Sequence, residues 1–433
     1  MAERETPFQH DFLWGAATAG HQVGDNVNGA SDFNRFELLH ADKLAANAGP
    51  DKDYENGTLP QDVWQRIAPE AKNPRNYISG EASGWWKGYW QEDFDIAQDL
   101  GLKAVRFSIE RAQIQPTASP DLDQEALNHY RKLIQGAKER GLEPVVTLFH
   151  FANPQWVAEG GGWENPDVVD GFQRYVEDLV KALDGEVSYF ITINEPEVYT
   201  LQGWLMGEWP PQKTNDLRGA LKVRKNLVEA HKRAFDTIKD VDETTSVSIA
   251  ANLSHVEATS GRMTDRIGRA ISEKVTNGLF LPKFVDRMDF IGANHYMHFV
   301  KKGINPKTGR NENEGEPRSD IGWYLHPESL YQILMGLRQY DKPIMITEHG
   351  LADAADQHRE WYIRESLAQV ARAMQDGVDV KGYLHWSLVD SHEWDKGKWP
   401  RFGLIGVDFE TQERHVRPSA HGYSDFIKAN TSK

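Results

Sequence analysis

Short apolar runs alternate with longer stretches of helical period along most of the chain. The runs at 12–15, 104–109, 144–148, 189–193, 247–251, 290–293, 343–346 and 382–386 predict strands. Between them, 93–100, 123–139, 168–183, 217–239, 328–339 and 359–375 repeat their apolar positions at the spacing of amphipathic helices. Strand–helix alternation without a repeated linker predicts the α/β class, as a single (β/α)8 TIM barrel forming one domain over 1–433. A doubly wound sheet would need a G-x-G-x-x-G turn after its first strand, and Phe12-Leu-Trp-Gly-Ala-Ala-Thr-Ala does not supply one. A bare barrel takes about 250 residues, so much of this chain must be insertions. The Asp-, Asn- and Gly-rich stretch 24–80 and the polar stretch 301–320 read as long loops following strands, hence on the C-terminal face.

Charge narrows the partners. The 49 basic and 65 acidic residues give −16, which opposes bulk attraction to nucleic acid or anionic lipid. Without cysteines, disulfides, thiolate nucleophiles and cysteine metal sites are excluded. Residues 1–10 lack an apolar signal core, and no apolar run is long enough to span a bilayer, so the expected location is the cytoplasm, away from membranes. On that reading the sequons at Asn56 and Asn252 are chance matches. Fourteen tryptophans fit sugar stacking and ordinary core packing equally well.

Two strands end alike: Thr192-Ile-Asn194-Glu195-Pro196 and Ile346-Thr347-Glu348-His349-Gly350. Pro196 and Gly350 stop the strands, which puts each glutamate at a carboxyl end. Strands four and seven face each other across a barrel mouth, and glycoside hydrolysis needs two carboxyls flanking the scissile bond. Alone, each glutamate would more often be a surface or capping residue.

These motifs resemble glycoside hydrolase family 1. Asn194-Glu195-Pro196 matches its N-E-P, and Thr347-Glu348-x-Gly350 its T-E-N-G. Trp386-Ser-Leu-x-Asp390-x-x-Glu393-Trp394, Arg401-Phe-Gly-Leu and the opening Phe12-Leu-Trp-Gly-Ala-Ala-Thr-Ala follow in order, and the C-terminal part is most similar to archaeal-type β-glycosidases. The resemblance implies a retaining β-glycosidase acting by double displacement on unphosphorylated sugars. Glu348 would be the nucleophile and Glu195 the acid/base. It implies supporting roles for Arg106, Asn194 and Tyr296, and sugar binding by Gln22, His150, Asn194, Trp386, Glu393 and Trp394. It also implies a cis peptide at Trp386–Ser387, and exo-action on β-glucosides with galactoside and fucoside side activity. Glu393 stands where phospho-glycosidases carry serine, which argues against a 6-phosphate.

His349 replaces the asparagine of T-E-N-G, and as an imidazolium it would add charge beside Glu348. Gly24 stands where the family's Q-x-E-G has glutamate, and Arg111 and Gln113 replace a Trp and an Arg. The cluster Trp85-Trp-Lys-Gly-Tyr-Trp90 precedes a helix and reads as helix-to-barrel packing, with a sugar-binding platform as the alternative. Trp204, Trp209, Trp323 and Trp399 are candidates to line the aglycone side. A transglycosylase and a non-catalytic sugar-binding relative are the alternatives. No metal motif such as H-E-x-x-H occurs, so no cofactor is expected; homo-oligomerisation is left open.

Overall fold

The computed structural model describes residues 6–50, 59–304 and 317–431. The sequon at Asn56 and most of the polar stretch 301–320 lie outside them.

Eight parallel strands close a barrel: β1 (Leu13–Ala17), β2 (Ala104–Ser108), β3 (Glu143–Thr147), β4 (Tyr189–Asn194), β5 (Ser246–Asn252), β6 (Ile291–Asn294), β7 (Ile344–Gly350) and β8 (Val380–Trp386), with β1 pairing both β2 and β8. All eight predicted strands are present, displaced by a few residues at their ends. The strands are buried on both faces, which is why they read as continuous apolar runs rather than as alternation.

Side chains alternate between two cores. Ala17, Ala104, Val145, Ile191, Ala250, Met345 and Leu384 fill the barrel interior. Trp14, Val105, Phe107, Val146, Phe190, Ile249, Ile291, Ile346 and Tyr383 face the surrounding helices. The helix Gln124–Glu139 shows how the outer layer forms. Asp123 caps it by accepting from the backbone N–H groups of Glu125 and Ala126. It then buries Ala126, Leu127, Tyr130, Leu133, Ile134 and Ala137, one stripe at three- and four-residue spacing.

The ladder is irregular where the motifs lie. Between β6 and β7, Ala293 pairs with Ile346 and Asn294 with Glu348, so Thr347 is an extra residue. Strict alternation from Met345 would turn Glu348 outward; the extra residue turns it into the barrel and sends His349 out. A shift between Ile191 and Asn194 in the β4–β5 pairing does the same for Asn194. Gly350 is required where it stands, because a Cβ would lie 1.8 Å from the carbonyl oxygen of Trp386.

The stretch 24–80 is not all loop. It holds the helices Asp32–Asn47, capped by Ser31, and Gln61–Ala71. The first buries Phe33, Phe36, Ala41 and Ala45 but also Asp32, Asn34 and Glu37. Those polar residues blurred its apolar stripe in the sequence. Two short parallel strands, His255–Ala258 and His298–Lys301, extend beyond β5 and β6 and were not anticipated either.

Candidate active site

The polar residues that end the barrel strands converge on two buried carboxyls. Glu348 leaves β7 into the barrel mouth and is 4% exposed. Arg106, from β2 and fully buried, donates from Nη1 to Glu348 Oε1 at 2.5 Å and from Nη2 to Asn194 Oδ1 at 2.6 Å. Its Nε donates to Thr147 Oγ1 at 3.0 Å, which fixes the plane of the guanidinium. Tyr296 donates its hydroxyl to Glu348 Oε2 at 2.7 Å. Both oxygens of Glu348 are thus held by donors suited to an anion. Burial raises its carboxyl above the ordinary value, and Arg106 and Tyr296 oppose that rise.

Glu195 is held differently. It follows β4 with φ 39°, a left-handed conformation that costs a non-glycine residue about 1–3 kcal/mol, and Pro196 then opens a short helix. Its Oε1 accepts from Asn252 Nδ2 at 2.8 Å and from Asn294 Nδ2 at 2.9 Å, amides at the ends of β5 and β6. Among the described residues no cation forms an ion pair with it. Burial first, and the Glu348 charge second, push its carboxyl up to about 8. Glu348 therefore has a cation and a phenol hydroxyl on its oxygens, whereas Glu195 has amide donors and a carboxyl raised far enough to be neutral near pH 7.

A second group of side chains lies beside this pair. Gln22 Nε2 donates to Glu393 Oε2 at 2.9 Å. Asn194 Nδ2 donates to His150 Nε2 at 3.1 Å, which leaves the His150 proton on Nδ1. Burial and the Arg106 charge hold that imidazole well below its ordinary range, hence neutral. Gln22 Oε1 and His150 Nδ1 are buried without a protein hydrogen-bond partner. The His150 ring stacks 6.1 Å from Trp386 and 5.9 Å from Trp394. Glu393 is pushed up to about 8 by burial, then by Asp395 and Glu348. The Trp386–Ser387 peptide is cis.

All ten residues singled out in the sequence lie in this one region. The structure adds Asn252 and Asn294 as the donors to Glu195. Their signal was position: each, like Asn194, is the last residue of its strand. It also adds the layer beneath Gln22, where His21 Nε2 meets Glu37 Oε1 at 2.7 Å and its ring stacks 5.4 Å from Trp394.

The family model for "Glycosyl hydrolase family 1" matches residues 60–286 and 282–432. The chain belongs to glycosyl hydrolase family 1. It is 31% identical to a β-glucosidase A of Acetivibrio thermocellus, covering 98% of each chain, and 30% identical to a β-galactosidase of Sulfolobus acidocaldarius, covering 82% of this chain and 86% of that one. The β-glucosidase of Thermotoga maritima in complex with glucoimidazole superposes with a TM-score of 0.82 at 26% identity, covering 99% of both chains. The protein is accordingly an O-glycosyl hydrolase of the β-glycosidase kind, with a carbohydrate substrate.

The departures from the family pattern have structural answers. His349 is fully buried and faces the helix Arg359–Gln375, away from Glu348. Its Nδ1 donates to the His295 carbonyl at 2.6 Å, Nε2 accepts from Ser366 Oγ at 2.8 Å, and the ring stacks on Tyr362. Burial lowers it to about 4, so it is neutral and adds no charge beside Glu348. Gly24 has φ 85°, and a Cβ there would lie 1.9 Å from the Glu81 carbonyl oxygen, so glutamate does not fit. Arg111 stacks over Trp156 and Tyr175. Trp85 and Trp90 both pack on Phe94 of the helix Trp90–Asp99, and Trp85 also meets Phe107 of β2, a contact between this segment and the barrel. Trp204 is buried against Tyr199 and Trp209 against Trp394. Trp399 is buried in the interior cluster with Trp386. Trp323 is partly exposed, with its ring 5.3 Å from Tyr296.

Proposed function

We propose that the protein is an exo-acting retaining β-glycosidase, in which Glu348 is the nucleophile and Glu195 the acid/base. The observation that carries this reading is the unequal treatment of two neighbouring buried carboxyls. Glu348 is held as an anion by Arg106 and Tyr296, whereas Glu195 has only amide donors and stays protonated. Glu348 attacks the anomeric carbon, the glycosidic C–O bond breaks, and the Glu195 proton passes to the leaving oxygen. Esterification removes the Glu348 charge, so Glu195 ionises more readily and deprotonates the incoming water as it releases the sugar. The unpartnered Gln22 Oε1 and His150 Nδ1 support the sugar-binding part of the reading. An acceptor, a donor and Glu393 line one side, and Trp386 supplies an apolar face for sugar C–H groups.

The preferred glycone in this reading is β-glucose, with galactoside and fucoside side activity. An unphosphorylated substrate fits because Glu348 and Asp395 keep the surroundings of Glu393 anionic even though Glu393 itself titrates near 8. The single-domain organisation, a cytoplasmic location and association with further copies complete the reading. Among the described residues no helix is long and apolar enough to cross a membrane.

Initial rates on a panel of aryl β-glycosides test the substrate class. Glu348→Ala with azide tests the nucleophile. The reading expects negligible hydrolysis, rescue by azide, and an α-glycosyl azide product. Full residual activity, or a β-glycosyl azide, would refute the assignment. Glu195→Ala should instead yield the β-glycosyl azide.

A further inference from the structure

The two short strands outside the barrel carry a cluster of different chemistry. In their parallel register His255 opposes His298, and Glu257 follows two residues after His255. Alternation therefore puts His255 and Glu257 on one face, with His298 beside them. His255 Nε2 lies 3.1 Å from Glu257 Oε1, and His298 Nε2 lies 3.7 Å from Glu257 Oε2. The three potential ligand atoms all fall within 4.8 Å of one another. A tetrahedral ion with bonds of about 2.1 Å sets its ligand atoms roughly 3.4 Å apart; the two imidazoles approach different oxygens of Glu257 at distances close to that, so a small rotation of the carboxylate would present one oxygen to both.

His298 supplies an independent sign. It is 2% exposed, yet neither ring nitrogen has a hydrogen-bond partner. A buried polar group left unsatisfied costs about 1–3 kcal/mol, and a metal bond would remove that cost at Nε2. The ring is already oriented by stacking on His255 at 5.4 Å and on His326 at 3.9 Å. Glu257 is 48% exposed on its side chain, which gives an ion access from solvent. In the other His–Glu–His group, His21, Glu37 and His392, all three side chains are buried away from solvent and two of them are already paired by protein. There Glu37 Oε2 accepts from the Ser79 N–H and hydroxyl, and Asn26 pairs with His21 Nδ1.

We propose that His255, Glu257 and His298 bind a divalent transition-metal ion of the zinc type, with water in the fourth position. Two imidazole nitrogens and one carboxylate oxygen are the donor set such ions take. The ion would clip together the segments that follow β5 and β6. Asn252, a donor to Glu195, ends β5 where the first segment begins, and Tyr296, a donor to Glu348, lies in the second. The clip is thus structural and separate from the sugar site.

Cobalt(II) titration of the metal-stripped full-length protein tests this. The expected result is the intense visible absorption of four-coordinate cobalt, abolished by zinc. A hundredfold excess of zinc over its Kd should raise Tm by roughly 3 °C. Glu257→Gln and His255→Asn should each weaken binding at least tenfold. Glycosidase activity in the variants shows that they remain folded. Absence of both the colour and the Tm rise in the wild type overturns the site. So does binding that persists unchanged in both variants.

Discussion

Glu195 ties the acid/base assignment to a measurable stability. Its carboxyl moves from an ordinary 4.5 to about 8 on folding. A raised carboxyl stabilises the fold only while it is protonated in the native state. Its contribution is complete below 4.5 and is lost as pH rises toward 8, because the unfolded chain ionises first. Integrated between pH 4 and pH 8.5, the loss is about 4 kcal/mol. Glu195→Gln copies the shape of the neutral acid and keeps an oxygen for Asn252 and Asn294, but cannot ionise. At pH 4 wild type and variant should melt within about 1 °C of each other. By pH 8.5 the variant should melt about 5 °C higher, taking an unfolding entropy of about 2.1 cal/mol/K per residue. Calorimetry across that range makes the comparison. A Tm difference that stays constant with pH would mean Glu195 titrates normally, and the account of its protonation would fail.

Other substitutions probe separate contacts. Arg106→Met leaves Glu348 buried without its cation, so kcat/KM should fall at least about a thousandfold and the acidic limb of its pH profile should move up; an unmoved limb would contradict the pairing. Tyr296→Phe removes one donor and should lower kcat about a hundredfold with little change in Tm, read from steady-state kinetics and melting together. Gln22→Ala should cost about 1–3 kcal/mol of transition-state binding on substrates with intact ring hydroxyls, and much less on deoxy analogues. His349→Asn should destabilise by about 1–3 kcal/mol through the lost contacts to the His295 carbonyl and Ser366, yet leave the pH profile where it was. A shifted profile would show that the ring does bear on Glu348.

Local signals were enough for the eight strands, because a strand buried on both faces must be a continuous apolar run between turn residues. They were enough also to propose Glu195 and Glu348, since each motif couples an apolar run to a strand-stopping residue. The same reasoning missed the helix Asp32–Asn47, whose buried face includes Asp32, Asn34 and Glu37 and so looks polar in sequence. Their partners lie outside the helix: Asn153 for Asp32, and His21 and Ser79 for Glu37.

Which way Glu348 and His349 point was beyond the sequence. Periodicity gives alternation but not where it slips, and the extra residue at Thr347 exists only through its pairing with β6. That slip puts the carboxyl on Arg106 and Tyr296 and the imidazole on Ser366 and Tyr362. The unequal protonation of the two glutamates has the same origin. Two motifs of one pattern acquire different electrostatic settings because desolvation and the position of one arginine are properties of the closed barrel, not of either motif.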